Sequence, residues 1–305
     1  MRFLSGLAVA VAFCLALPSG EAFGQTGNRE RMDTTVSIDR GGTLSVSLYS
    51  GRVNVTGVSG SNVRVRGTLD RENLTFRARP SSVSISVEHG GHRSGVGGEL
   101  DITVPVGTRV IVEGFSVPVS LRGVKGEARV ETLSGSVTID DAVGKVTVET
   151  VSGNIALKRI EGDAQAASVS GRVELGDING DINAESVSGP VFITGAKAAR
   201  VQAETVQGDL SYEGTIESMG NYSFTTHSGE LTLAVPANAS ATVSLETFSG
   251  SVDSDFPVTL ESGASRRAGE SQFDFRIGDG KSRIVLETFN GNIRIQRGSG
   301  RANRE

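Results

Sequence analysis

Glycine recurs at positions 126, 135, 144, 153, 162, 171, 180 and 189, and every step is nine residues. A period that short and that strict leaves few folds open. With each Gly counted as position 1, positions 3, 5 and 8 are apolar in almost every copy. Val137, Ile139 and Ala142 fill them once, then Val146, Val148 and Val151, then Ile155, Leu157 and Ile160. Val173, Leu175 and Ile178 follow, and after them Ile182, Ala184 and Val187. Apolar residues two apart mark strand alternation, and a Gly beside a polar residue marks a turn. A helix would need apolar residues three and four apart, and β-branched Val, Ile and Thr dominate instead.

The deeper period is eighteen. ETVSG at 149–153 returns as ASVSG at 167–171 and ESVSG at 185–189, whereas the alternate nonapeptides end DAVG, RIEG and DING. Two strand-plus-turn units of different character therefore make one coil, and a coil buries its apolar side only by stacking on another. The expected fold is all-β: a β-solenoid of coils about 18–21 residues long, two short strands each, with parallel strands of successive coils ~4.8 Å apart. An antiparallel meander would make consecutive strands neighbours and would leave the alternation without a cause. In the solenoid reading positions 3, 5 and 8 all face inward, including the Val of ETVSG.

The period loosens after Gly189. The phrase returns at Gly208, Gly229, Gly250 and Gly291, the last step of 41 residues reading as two coils. A longer echo aligns DITVPVGTRVIVEGFSVPVSL at 101–121 with ELTLAVPANASATVSLETFSGSV at 230–252, each a strand, a Val-Pro turn and another strand. No break in composition divides 33–297, which reads as one elongated domain, most regular over 117–216. Residues 1–24 have the form of a secretory signal peptide: an early Arg, an apolar run from Leu4 to Leu17, and small residues near Ala22. A linker is expected at 25–32 and a disordered basic tail at 298–305. No other segment is apolar enough to cross a membrane.

These residues resemble a widespread family of exported bacterial proteins labelled "putative adhesins", a domain of unknown function. The resemblance lies in the [TS]-[VF]-[SN]-G-x-[IV] turns, the Val-Pro elements at 104–105 and 235–236, and GDGKSRIVLETFNGNIRI at 278–295. It implies an all-β solenoid outside the cytoplasmic membrane, in the periplasm, on the cell surface or in the medium. It brings no catalytic residues.

Chemistry is sparse. The only cysteine, Cys14, lies in the leader, so the mature chain has no thiol for a disulfide, a nucleophile or a metal. The formal charge of −5 excludes a general polyanion binder, and no nucleic-acid partner is expected. Ser134, Ser152, Ser170 and Ser188 form a column, but a nucleophile needs a base, and His89, His92 and His227 all lie outside the regular repeat. The Ser column reads as turn structure. His89-Gly-Gly-His92 could be half a metal site or a Gly-rich loop tip. No catalytic, cofactor-binding or metal residue is expected.

The outward positions of the two nonapeptides differ in charge. One face, including Glu131, Glu149, Asp163, Asp181 and Glu185, holds six acids and two bases between 126 and 189, and the other is balanced. Those five residues are the expected binding face. Asp163 and Asp181 stand one coil apart, close enough to share Ca²⁺ or work as a general acid and base. The same face could equally be solvated, with Lys145 neutralising its neighbours. Phe115, Phe192, Phe248 and Phe289 could meet sugar rings or pack as caps. The leading expectation is an exported, non-enzymatic solenoid that contacts another macromolecule of the envelope. A carbohydrate-active solenoid enzyme using clustered Asp/Glu and a purely structural envelope element are the alternatives.

Overall fold

The computed structural model describes residues 29–70, 74–87, 98–256 and 271–298. The chain is a β-solenoid. Between residues 109 and 235 each coil contributes one strand to each of two sheets, and strands of successive coils pair in parallel. The strands Val137–Val143, Ile155–Glu161 and Val173–Asn179 stack in one sheet, with Val137, Ile155 and Val173 in register. Ala128–Ser134, Val146–Ser152, Ala164–Ser170 and Ile182–Ser188 stack in the other. The 18-residue spacing puts like residues in columns, and each buried Val, Ile or Leu contributes about 1.5–3 kcal/mol.

Glycine at the corners is a matter of space. A Cβ on Gly171 would lie 2.0 Å from the Gly153 carbonyl oxygen, and one on Gly153 2.2 Å from that of Gly135. At these corners the chains therefore run too close for any side chain. Corner amides close the ladder one coil on: Gly144 N–H donates to the Glu161 carbonyl at 2.8 Å and Gly162 N–H to that of Asn179 at 2.9 Å.

The spatial order of coils departs from the order in sequence at both ends. Thr43–Val58 spans both sheets and lies between the coil of Ser82–Val87 with Gly98–Pro105 and the coil of Arg109–Ser116 with Val119–Arg122. At the other end Ser282–Asn290 and Ile293–Arg297 lie between Asn221–Ser228 with Leu231–Val235 and Ala241–Ser249 with Val252–Ser254. The 41-residue step from Gly250 to Gly291 is therefore a reversal, and the later coil slots in before the earlier one. This also explains the longer echo. The Val-Pro turns at 104–105 and 235–236 are the two places where the chain steps over an intercalated coil. In each, an N–H three residues on, that of Thr108 or Ala239, donates to the Pro carbonyl at 2.9 Å.

Antiparallel strands close the stack. Asn62–Asp70 pairs with Gly98–Pro105, Arg29–Ser37 with Asn62–Asp70, Leu74–Arg79 with Ser82–Val87, and Ser271–Ile277 with Ala241–Ser249. The strand Arg29–Ser37 reaches into the stretch expected as linker. The wider coils after Gly189 hold an aromatic plug, Tyr212, Tyr222 and Phe224, all fully buried. Burial raises the pKa of both tyrosine hydroxyls; that of Tyr212 donates to the Thr215 carbonyl and that of Tyr222 to the Ala198 carbonyl. The stretch expected as a leader at 1–24, Cys14, His89, His92 and the tail beyond Gly298 lie outside the described residues.

One expectation fails. Position 8 faces inward in only one of the two nonapeptides. Ala142, Ile160 and Ile178 are buried, but Val151, Val169 and Val187 are 44%, 46% and 49% exposed. The reason is backbone handedness. Asp141, Arg159 and Asp177, just before the buried residues, have φ of 56°, 52° and 53°. A single left-handed residue breaks the alternation and turns the next side chain back to the core. The ETVSG nonapeptides have no such residue. Their alternation runs on, position 7 goes inward as Thr132, Thr150, Ser168 and Ser186, and the Val of ETVSG goes out.

Candidate functional site

Continued alternation in the ETVSG strands places positions 6 and 8 side by side on the outer surface, with the hydroxyl of position 7 beneath. Position 6 runs in register as Ser47, Glu113, Glu131, Glu149, Ala167, Glu185, Glu204, Thr225, Glu287 and Glu246. Seven glutamates thus form one line across the solenoid. The parallel line at position 8, fixed by the paired residues on either side, is Tyr49, Phe115, Leu133, Val151, Val169, Val187, Val206, His227, Phe289 and Phe248.

That second line has a specific property. Ten large apolar side chains are exposed among the described residues: Tyr49, Phe115, Leu133, Val151, Val169, Val187, Val206, Met219, Phe248 and Phe289. All but Met219 stand in it. Between the glutamates and the apolar line runs a furrow of about 670 Å³, from Glu113 to Val206. Its floor is a ladder of hydroxyls turned inward to the corner. Thr205 Oγ1 donates to the Gly189 carbonyl at 3.0 Å, Thr226 Oγ1 to that of Gly208 at 3.1 Å, and Ser168 Oγ to that of Gly153 at 3.3 Å. Thr150 Oγ1 has no partner among the described residues but is buried with the rest of the floor, so any contact must come from the two walls.

The acidic wall is nearly uncompensated. Among the described residues Arg129 is the one cation paired into it, hydrogen-bonded to Glu131 and 3.9 Å from Glu149. Its guanidinium is held charged more firmly than usual, first by the hydrogen bond to Glu131, then by the charge of Glu131, with Glu149 and Glu113 adding less. Asn183 Nδ2 donates to Glu185 at 2.9 Å. The aromatics at the ends of the apolar wall stack on each other. Tyr49 lies on Phe115 at 4.8 Å, and Phe289 is sandwiched between His227 at 4.9 Å and Phe248 at 4.8 Å. Ring faces turned toward one another are not free to receive sugar rings.

Of the five residues expected as the binding face, Glu131, Glu149 and Glu185 line the furrow. Asp163 and Asp181 belong to the corner instead. Asp163 Oδ1 accepts the Asp181 N–H at 3.1 Å; Asp181 Oδ1 accepts the Arg200 N–H at 3.2 Å and Oδ2 the Arg200 guanidinium at 2.7 Å. Asn154 and Asp209 do the same for Arg172 N–H and Glu230 N–H. An acid or amide just after the turn Gly ties one coil to the next. The Ser column at 134, 152, 170 and 188 lies at the corner of Asn154 and Asp209, where carbonyls such as that of Ser152 accept the Gly135 N–H at 3.2 Å. Phe192 lies in the other sheet, under the Arg172 guanidinium at 4.7 Å.

Sequence reasoning missed Glu113, Glu204, Glu246, Glu287 and the aliphatic part of the apolar wall, of which it had singled out only Phe115, Phe248 and Phe289. Each missed glutamate sits in a variant of the phrase, VEGFS, AETVQ, LETFS or LETFN. Among the described residues no group of three or more His, Cys, Asp or Glu is placed to hold a metal ion, and no helix is long and apolar enough to cross a membrane.

Fold and furrow together define a capped β-solenoid whose one distinctive surface is linear, acidic on one side and apolar on the other. The chain belongs to the Toastrack DUF4097 family, which it matches over residues 18–296. Solved structures similar to it include a "putative adhesin" from Bacteroides fragilis NCTC 9343, 10% identical over 87% of this chain and 97% of that one, with a TM-score of 0.47. Another "putative adhesin", from Parabacteroides merdae ATCC 43184, is 10% identical over 88% of this chain and 97% of that one, with a TM-score of 0.46. A "putative lipid binding protein" from Parabacteroides distasonis ATCC 8503 is also 10% identical over 88% and 97%, with a TM-score of 0.37. No curated protein matches the sequence.

Proposed function

We propose that this chain is an exported, non-enzymatic contact module of the cell envelope that binds another macromolecule along its furrow. The observation behind this reading is the gathering of nine exposed large apolar side chains into one line beside seven glutamates. Scattered apolar residues on a surface are ordinary; a contiguous line of them is the mark of a contact site. The binding mode is multivalent, with weak contacts repeated at ~4.8 Å intervals along a rigid wall and summed by geometry. Export is supported by the leader-like form of residues 1–24. The alternative of polysaccharide cleavage asks for two carboxylates in contrasting surroundings on either side of a bond. The furrow has its glutamates in one line on one wall and aliphatic groups opposite, which supports contact rather than chemistry.

The test is retention of residues 25–305 on isolated envelope fractions and on defined polysaccharides, with a Val151→Asp/Val187→Asp variant as the probe of the furrow. Circular dichroism confirms that the variant is folded. Retention that drops about tenfold or more with the variant agrees with the reading. Undiminished retention by a folded variant removes the furrow as the contact surface, and turnover of a polysaccharide abolished by Glu149→Gln would replace the reading with the enzymatic one.

A further inference from the structure

The furrow is specific enough to indicate the shape and charge of what lies in it. We infer that its occupant is a basic amphipathic α-helix of a partner protein, running along the solenoid axis with an apolar stripe on Leu133–Val206 and lysines or arginines on the glutamate wall. This rests on the contact reading above and narrows it.

Charge comes first. By sequence residues 98–256 hold 22 Asp and Glu against 10 Lys and Arg, a net of −12, whereas residues 29–87 hold 9 Lys and Arg against 5 acids, a net of +4. The furrow therefore lies on the acidic part of the molecule, beside a glutamate column to which, among the described residues, only Arg129 is paired. A second copy of the same face would bring like charges together, and a polyanion would be repelled. A cationic occupant is complementary.

Backbone hydrogen bonding comes second. The furrow crosses strands that are paired on both sides, from Arg109–Ser116 through Arg200–Gln207. It offers no strand edge to an incoming chain, so strand addition is closed. Four of the five floor hydroxyls, those of Thr132, Ser168, Ser186 and Thr205, are spent on corner carbonyls, and the fifth, Thr150 Oγ1, is buried. A polypeptide pressed on the apolar wall must satisfy its own backbone, and a helix does so.

Dimensions come third. Leu133 to Val206 spans four coil steps, or about 19 Å, the length of about 13 helical residues. The whole line from Tyr49 to Phe248 spans nine steps, about 43 Å, matching about 29 residues. A helical turn rises about 5.4 Å, close to the ~4.8 Å rung spacing, so side chains one turn apart fall near successive rungs. The two walls are two residues apart along each strand, about 7 Å, comparable to the width between neighbouring stripes of a helix.

The experiment uses residues 25–305 and labelled synthetic peptides of about 18 residues, built from Lys and Leu, whose helix is about 27 Å long. One peptide has an amphipathic helical order. A second has the same composition in an order that spreads Lys around the helix. A third carries two prolines in the amphipathic order. Fluorescence anisotropy measures binding to the unaltered protein, to Glu131→Gln/Glu149→Gln/Glu185→Gln, to Val151→Ser/Val187→Ser, and to Glu174→Gln in the other sheet as a control. The amphipathic peptide is expected to bind at least about tenfold tighter than the other two, and each furrow variant to weaken it about tenfold while the control does not. Raising salt from about 50 to about 300 mM weakens it further. Equal binding of the scrambled peptide, equal binding of the proline peptide, or indifference to the furrow variants each overturns the helix. Loss of envelope retention in Val151→Asp/Val187→Asp, with no peptide bound at all, leaves the contact reading standing and overturns the helix alone.

Discussion

Val151 and Ile160 occupy the same position of consecutive nonapeptides, and the protein puts one outside and the other inside. Val151 is 44% exposed and Ile160 fully buried. Their strands look alike in sequence, each with apolar residues at positions 3, 5 and 8. The difference lies one residue earlier, where Arg159 takes φ of 52° and Thr150 continues the strand. One left-handed residue gives the coil a corner that closes the core. Its absence on the other side leaves a row of aliphatic side chains on the surface. Core and candidate binding surface are thus two outcomes of one repeat, separated by the sign of a single dihedral.

The comparison breaks most visibly by truncation. Ile160→Ala leaves a hole in a packed column and should cost about 2–5 kcal/mol, whereas Val151→Ala should stay within about 0.5 kcal/mol. Chemical denaturation of the two variants measures this, and equal losses would refute the assignment of faces. Corner glycines come next. Gly171→Ala drives a Cβ to 2.0 Å from the Gly153 carbonyl and should cost about 1–3 kcal/mol, while Gly107→Ala, with nothing within 4 Å, should be silent in the same titration. The floor of the furrow is tested by Thr205→Val. Loss of its bond to the Gly189 carbonyl should lower stability by about 1 kcal/mol without altering the walls. The smallest effect sharpens the comparison at its source. Asp141→Gly, at φ of 56°, should raise the melting temperature slightly, by up to about 1 kcal/mol of stability, and Asp141→Val should lower it.

Much of this architecture is legible in the sequence. Gly at nine-residue intervals, Val137 and Ile139 two apart, and the eighteen-residue return of ETVSG lead to coils and columns without coordinates. The solenoid fold and the Toastrack family agree with that reading. Three things were not legible, each for a physical reason. Arg159 carries no sequence mark of left-handed backbone, and Asp141 and Asp177 carry a weaker one than Gly or Asn, so the inward turn of Ile160 and the outward turn of Val151 looked alike. The order of coils at the ends depends on long-range pairing, such as Ser228 and Ser249 both opposite Asn290, which periodicity along the chain does not encode. The roles of the acids were mixed because charge counting does not separate Asp163, bonded to a corner amide, from Glu149, which faces the furrow.

The orientation of position 8 underlies every later step, and thiol labelling reads it directly. In a chain lacking Cys14, otherwise free of cysteine, single Val151→Cys, Val187→Cys, Ile160→Cys and Ile178→Cys variants are treated with a thiol-specific reagent under native conditions. Val151→Cys and Val187→Cys should react nearly as fast as the unfolded chain, and Ile160→Cys and Ile178→Cys should be protected until denaturant is added. Protection of the two Val positions, or equal rates at all four, would contradict the furrow and the binding surface built on it.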